Sequence, residues 1–402
     1  RHINYHFTLL GEISDYLNNV FDNNVEVIDL DAENIDLGQF IKKIINFDIT
    51  GVAILVSPEN LSHSIKVAKI LKQIYPKTKI IAYGHLAELL PNIFSKYDSF
   101  DAVHVNGDQE TAIEKFFLYV SKKIKLEELS GINLLEKGKI IKTAKGEFLS
   151  EEKWGFTRIN KLPVQDYCKI KEANRVIINL TRGCPFSCPH CLVHIIQGNK
   201  VRYRPIEKVK EYLQTIYPRF THIKLWAANF TLNKKYVNDF CKMISENFPY
   251  LTWECATRVD LIDDEELIKK MKLSGCRQIT LGIESIEEED LSNINKNYNL
   301  KNLKKVIKLM QSNNMVIKAC IMLGMPNQTK SSIIKTLDFL NDLKLKIRPT
   351  IYTPYQEMNE NLSVEEIEMF NRKLFYVENK EITYRQYLQL LYNLNDYKNI
   401  LK

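Results

Sequence analysis

Short β-branched runs alternate with helix-period stretches along most of the chain. Runs at 25–30 (VEVIDL), 52–56 (VAILV), 79–82 and 102–105 predict four strands, and apolar spacing predicts helices at 37–45, 62–75 and 110–123. In the second helix Ile65, Ala68 and Leu71 fall on one face. This order predicts a doubly wound, Rossmann-like α/β domain with a mostly parallel sheet, whose ligands belong at the carboxyl ends of the strands. Its first strand is expected before Arg1. The period then changes: 132–146 reads as a hairpin turning at Lys137-Gly138, and the segment ending in Leu162-Pro163 as a linker.

A second series follows and can be counted. Strands at 176–180, 222–227, 252–257, 278–283, 316–323 and 349–353 alternate with helices near 205–217, 234–246, 264–274, 301–313 and 330–343. Six such repeats predict a partial (β/α)6 barrel, with its chemistry on loops at the strand carboxyl ends. The remaining residues, helical and rich in Tyr and Leu, predict a helical C-terminal extension acting as a cap or lid. The expected domains are 1–126 (Rossmann-like), 127–170 (hairpin and linker), 171–355 (barrel) and 356–402 (extension).

Composition narrows the class. A chain of 402 residues is long enough for two or three domains, and 45% hydrophobic with 26% charged residues is globular rather than disordered. No run approaches the ~18 apolar residues of a spanning helix. The start, RHINYHFTLLGEIS, has neither an initiator Met nor a signal-peptide layout, so the sequence reads as trimmed and a cytoplasmic location is expected. The net charge of +7 is spread as Lys among acidic neighbours, the pattern of a solvated surface, so neither nucleic acid nor membrane is an expected partner. Eight cysteines are too few for a disulfide scaffold.

Three of those cysteines carry the chemistry. After the first barrel strand the sequence runs LTRGCPFSCPHCLVH, placing Cys184, Cys188 and Cys191 in C-x3-C-x2-C spacing on one turn-forming loop. Three thiolates without a fourth leave a metal centre with an open valence. The bland alternative is a zinc knuckle completed by His190 or His194. The other cysteines, among them Cys168, Cys255 and Cys320, read as small apolar residues. Arg202 and Arg204, after the loop, suit a salt bridge to the next helix as well as a cofactor contact.

The loop resembles the signature of the radical S-adenosylmethionine (SAM) superfamily. That resemblance implies a [4Fe-4S] cluster on Cys184, Cys188 and Cys191, SAM bound at the open iron, and reductive cleavage to a 5′-deoxyadenosyl radical. It also implies SAM contacts from His190, Asn229, Arg258, Glu284 and Met325. An external one-electron donor such as flavodoxin or ferredoxin is implied too.

Further phrases resemble the branch of that superfamily with an N-terminal cobalamin-binding domain. They are Gly84-His85, the Gly107-Asp108-Gln109-Glu110-Thr111 turn, LPVQDY, VRYRPIEKV, WECATRVDLIDDEEL, GIES and MLGMPNQT. The resemblance implies cobalamin held near Ser57, Gly84, His85 and Gly107. The chain departs from the branch twice. Ala227 and Ala228 stand where the branch has two acidic residues, and SPENLSH after the 52–56 strand carries no Asp-x-His-x-x-Gly, so no lower cobalt ligand is provided there. The expected activity is C-methylation of an unactivated carbon in a small molecule or peptide. The alternatives are a non-methylating radical reaction (rearrangement, dehydration or epimerisation) and a non-catalytic metal-binding protein.

Overall fold

The computed structural model describes residues 4–30, 33–136, 138–158, 175–296, 298–371, 375, 377 and 379–402. The linker ending in Leu162-Pro163, the LPVQDY phrase, Cys168 and Lys137 lie outside them. The chain divides into two units, one of Arg1–Ala173 with Ile195–Gln197 and Glu357–Phe370, the other of Asn174–His194, Gly198–Gln356 and Asn371–Lys402.

The first unit opens with a helix at Asn4–Val20, where the sequence pattern predicts no element. Helix Leu37–Ile44 follows, started by a reciprocal capping box between Asp36 and Gln39. Strand β1 (Gly51–Leu55), helix Leu61–Ile74, strand β2 (Lys79–Tyr83), short helix His85–Leu89, strand β3 (Ala102–His104) and helix Gln109–Val120 form the parallel part. Strands β4 (Ile132–Glu136) and β5 (Lys139–Lys142) add the expected hairpin in antiparallel sense, giving the order β1-β2-β3-β4-β5. Ile13, Tyr16 and Leu17 of the first helix meet Ile113 over Tyr83, with Ala53 and Leu55 packed beside them. Removing such apolar surface from water is what holds helix to sheet.

Residues 25–30 are not a strand, contrary to the pattern. A strand needs a ladder partner, and β1, half-buried at every position, forms the edge of the sheet. Val25 is instead tied to the end of the first helix: Asn18 Nδ2 donates to its carbonyl at 3.2 Å and its N–H donates to Asn18 Oδ1 at 3.1 Å. Part of the C-terminal extension belongs to this unit. Its helix Val364–Met369 presents Glu368 Oε1 to the backbone N–H of Ser62 at 2.9 Å, beside the loop that follows β1.

The second unit contains β6 (Arg175–Asn179), the short pair β7 (Thr181–Arg182) and β8 (Arg202–Tyr203), then β9 (His222–Trp226), β10 (Thr252–Arg258), β11 (Cys276–Glu284), β12 (Val316–Leu323) and β13 (Lys346–Ile351). Helices Ile206–Ile216, Lys234–Asn247, Glu265–Leu273, Leu300–Ser312 and Lys330–Asp342 cross between the parallel strands. The sheet runs β13-β12-β11-β10-β9-β6, all parallel, with β6 and β13 as its two edges, which is the expected partial barrel. Strand residues alternate in burial: Ile223, Leu225, Trp253, Ile279, Leu281, Ile317 and Ala319 are buried under the helices, and polar positions take the concave face. Phe230, Phe240 and Trp253 meet edge-to-face in the outer layer. Helix Tyr384–Tyr392 packs on β13 with Tyr387 and Leu390 fully buried.

Candidate radical site and corrinoid site

The cysteine loop leaves the carboxyl end of β6, and local clamps set its path. Gly183 has φ +89°, and a Cβ there would stand 2.2 Å from the carbonyl oxygen of Lys200. Only glycine permits both the left-handed backbone and the close approach. The next N–H, that of Cys184, donates to Gly198 O at 3.1 Å, and the Cys191 N–H donates to Cys188 O at 3.0 Å. Asn295, itself left-handed at φ 56°, donates from Nδ2 to Ser187 O at 3.0 Å.

Cys184 and Cys188 are buried and Cys191 half-buried. Burial pushes the thiols of Cys184 and Cys188 up. Cys188 also feels Lys296 and Arg258, which pull it back, and both other loop thiols, while Cys184 feels Cys191. The three sulfurs therefore share one electrostatic neighbourhood beside two cations. Among the described residues no three His, Cys, Asp or Glu side chains converge on a single metal-ion position. A cubane asks for something else, one thiolate at each of three separate irons, and a soft three-sulfur donor set on one loop fits that requirement.

The remaining radical-site candidates fall around this loop. Asn229 donates from Nδ2 toward Cys184 Sγ at 3.5 Å, directly after Ala227 and Ala228 at the end of β9. Arg258, the last residue of β10, lies over the Phe186 ring at 4.1 Å and points Nη1 toward Cys188 Sγ at 3.9 Å. Its Nε and Nη2 are committed to Asp260, at 2.8 and 3.0 Å, in the bidentate geometry a guanidinium favours. His190 is buried with its ring edge-on to Tyr352, centroids 6.3 Å apart. Met325 packs with Ile294 and Met322, and Tyr352 lies against them. Arg204 is fully buried and donates from Nε to Asn179 O at 2.8 Å, bracing the β8 region against the end of β6.

Glu284 ends β11 in an unusual backbone. The pairing register slips between Gly282 and Glu284, and Glu284 adopts φ 61°, a left-handed conformation seldom taken by a long side chain. Tyr298 Oη donates to the carbonyls of Ile283 and Ser285, the latter at 2.8 Å, fixing the bulge. The Glu284 carboxylate receives Lys296 Nζ at 2.7 Å, and Lys296 also donates to Gly282 O at 3.0 Å. Lys296, Tyr298 and Asn295 escaped the sequence analysis, since they sit in a loop without periodicity.

At the carboxyl ends of β1, β2 and β3 the first unit has its own buried polar cluster. Ser57, Glu88, His104 and Gln109 are almost wholly inaccessible. His104 Nδ1 stands 3.5 Å from Glu88 Oε1, Gln109 Nε2 donates to the same oxygen at 3.1 Å, and His104 Nε2 pairs with Asn106 O at 3.1 Å. Among the described residues Ser57 Oγ, His104 Nδ1 and Gln109 Oε1 have no hydrogen-bond partner. Orphaned buried atoms at strand carboxyl ends are what a ligand rich in amides and hydroxyls would satisfy, so the residues present fit a corrinoid tail. Gly84 and Gly107, at φ 104° and 86°, have a further reason to be glycine: a Cβ would stand 2.7 Å from Val56 O and 2.8 Å from Glu147 O, respectively. His85 opens the short helix after Gly84.

Comparison with known proteins places this architecture. Residues 178–340 match the Radical SAM superfamily, so the chain carries a radical SAM domain. An uncharacterized methyltransferase, PH0819, of Pyrococcus horikoshii is 25% identical over 83% of this chain and 73% of its own length. The anaerobic magnesium-protoporphyrin IX monomethyl ester cyclase of Rubrivivax gelatinosus is 24% identical over 76% of this chain, which spans only 58% of that enzyme. The fold is also that of the radical SAM methyltransferase TsrM from Kitasatospora setae, solved with tryptophan and a SAM analogue. The TM-score is 0.73 at 14% identity, covering 86% of this chain and 70% of TsrM. Among the described residues no helix is long and apolar enough to cross a membrane.

Proposed function

We propose that the protein is a cobalamin-dependent radical SAM methyltransferase acting on an unactivated carbon of a small-molecule or peptide substrate. The observation that carries this reading is the pairing of a three-thiol loop at the carboxyl end of β6 with a separate unit whose β1–β3 carboxyl ends hold orphaned buried polar atoms. TsrM, of the same fold, has been solved with cobalamin and a [4Fe-4S] cluster bound. When bound, the cluster supplies the electron that cleaves SAM to a 5′-deoxyadenosyl radical, and the corrinoid supplies the methyl group.

Each side chain then has a task. Cys184, Cys188 and Cys191 ligate the cluster, and the cations of Arg258 and Lys296 offset the charge of the thiolates. Asn229 supplies a neutral polar group where Ala227 and Ala228 supply none. Glu284 accepts from ribose hydroxyls with its carboxylate already oriented by Lys296. His190 and Met325 flank the adenine. Ser57, Gly84, His85 and Gly107 receive the corrinoid. The first unit, with the β4–β5 hairpin in its sheet, thus serves the methyl donor and the second the radical. The setting is cytoplasmic, where flavodoxin or ferredoxin provides single electrons, and neither nucleic acid nor membrane takes part.

The relative named as a cyclase favours one second reading, a radical reaction without methyl transfer. Anaerobic incubation of cluster-reconstituted protein with SAM, hydroxocobalamin and a strong reductant separates the two. Methyl transfer predicts bound corrinoid, 5′-deoxyadenosine and S-adenosylhomocysteine. Deoxyadenosine without corrinoid binding would favour the second reading, and a chain that takes up no iron-sulfur cluster would sink both.

A further inference from the structure

Between Asp290 and Asp338 the chain holds eight lysines and not one aspartate, glutamate or arginine. The two flanking acids are used elsewhere, Asp290 by Ser285 Oγ at 2.7 Å and Asp338 by Lys398 Nζ at 2.9 Å. Of the lysines, Lys296 holds Glu284, Lys335 holds Glu287, Lys330 donates to Lys402 O and Lys318 lies within β12. The other four share helix Leu300–Ser312. Its buried face is Leu303, Val306, Ile307 and Met310, and Lys301, Lys304, Lys305 and Lys308 stand exposed on the opposite one. Among the described residues none of these four has a carboxylate in ion-pair range, and Lys304 Nζ lies 5.6 Å from the centroid of the Phe339 ring.

Elsewhere in the second unit exposed helical lysines are met by a carboxylate three or four residues away, as in Lys208–Glu211, Lys235–Asp239, Lys242–Glu246 and Lys269–Glu265. On Leu300–Ser312 every such neighbour within the stripe is instead a like charge, and Lys301 adds one at the positive end of the helix dipole. The stripe thus works against the helix that carries it, and a local rule broken at a cost marks a surface kept for an outside partner. It also starts beside the cysteine loop. Asn295, which donates to Ser187 O at 3.0 Å, is six residues before Lys301, so their Cα atoms lie at most about 22 Å apart, inside the footprint of one docked small protein. An open groove edged by Leu300 and Leu309 runs along the lysines.

We propose that this lysine stripe docks a small acidic one-electron carrier protein that serves the cysteine loop. The assignment rests on the reading of this unit as the cluster-bearing radical domain. In each encounter the carrier loses one electron to the cluster held by the three thiolates, and no atom is transferred. Such a partner must arrive fast and leave again, and exposed ammonium groups steer association without building a tight interface. Nucleic acid fits less well, because the helix has no arginine to fork onto phosphates and no aromatic side chain for bases to stack on.

Flavodoxin serves as the probe, titrated into the full-length protein by calorimetry. Binding is expected at low salt and should weaken as salt rises. Lys301→Gln/Lys304→Gln/Lys305→Gln/Lys308→Gln should bind about tenfold more weakly. Lys301→Arg/Lys304→Arg/Lys305→Arg/Lys308→Arg should keep the wild-type affinity, and it controls for folding. Lys208→Gln/Lys235→Gln/Lys242→Gln/Lys269→Gln removes the same net charge from paired positions and should leave affinity nearly unchanged. In cluster-reconstituted protein the rate at which flavodoxin hydroquinone is oxidised should fall with binding in the stripe's glutamine variant, while dithionite-driven deoxyadenosine formation, which needs no docking, should not. No binding of flavodoxin, equal binding by the stripe's glutamine variant, or an equal loss in the paired-lysine control overturns the proposal. So does tighter, stripe-dependent binding of an oligouridine, which would make the face a nucleic-acid surface. Absence of deoxyadenosine from the wild type with dithionite would count against radical chemistry and leave the binding comparison to decide the docking.

Discussion

Lys296 joins two parts of the radical site through a single ammonium. It neutralises Glu284 at 2.7 Å, holds the Gly282 carbonyl at 3.0 Å, and lowers the cost of a thiolate at Cys188. Both members of the Lys296–Glu284 pair are nearly inaccessible, so removing one leaves the other as a buried, unmatched charge at a left-handed turn. Such a loss typically costs about 3–5 kcal/mol, whereas removing both partners costs far less. Lys296→Met is therefore expected to destabilise the second unit by about 3 kcal/mol in denaturant unfolding, and Lys296→Met/Glu284→Gln to recover most of that. Cluster content should remain low in the double variant, because Cys188 has still lost one of its two cations and keeps only Arg258. Recovery of cluster content together with stability would reduce Lys296 to a purely structural partner.

Between residue and domain, the cysteine loop behaves as one element held at Gly183, Cys184 and Ser187. Gly183→Ala would drive a methyl group onto the Lys200 carbonyl in a left-handed backbone, a clash with main chain that no rotamer change relieves. The variant is expected to lose most of its iron and sulfide after reconstitution while its far-ultraviolet dichroism stays near that of the wild type. Full cluster loading would show that the loop tolerates a different path. The thiols of this element were legible in the sequence because a ligand loop is local: three cysteines within eight residues state their own geometry. Its braces were not legible. Asn295, Lys296 and Tyr298 arrive from a loop more than 100 residues later, with no repeat or motif to announce them. The barrel strands were legible for the opposite reason, since their apolar outer faces repeat six times. Residues 25–30 carry the same kind of pattern, yet a strand is a property of a pair, and the sequence of one member does not reveal whether the other is there.

Across the whole molecule, both sheets gather polar side chains at the carboxyl ends of their parallel strands, and in the first unit this leaves a mark on stability. Burial pulls the His104 imidazole down to about 4 and pushes the Glu88 carboxyl well up, so each is held in its neutral form. The signs oppose. As pH falls from about 6.5 toward 4, an unfolded His104 takes up a proton that the folded one refuses, so the fold loses stability on acidification, by about 2 kcal/mol at pH 5. As pH rises above about 4.5, an unfolded Glu88 releases a proton that the folded one keeps, so the fold loses stability in the other direction until the folded carboxyl ionises. A chain of two units need not unfold in one step, and its tryptophans divide the readout: Trp154, buried in the first unit, reports apart from Trp226 and Trp253 in the second. With Trp226 and Trp253 replaced by Phe, the two slopes offset each other in the Trp154 transition between pH 6.5 and 5, and adding Glu88→Gln should expose the acid limb that belongs to His104. His104→Gln should flatten that acid limb, and Glu88→Gln should raise stability at pH 8 more than at pH 5. An acid limb unchanged by His104→Gln would mean that His104 is already charged in the folded protein and that the buried cluster is an ion pair with Glu88, a different surface to offer a corrinoid tail.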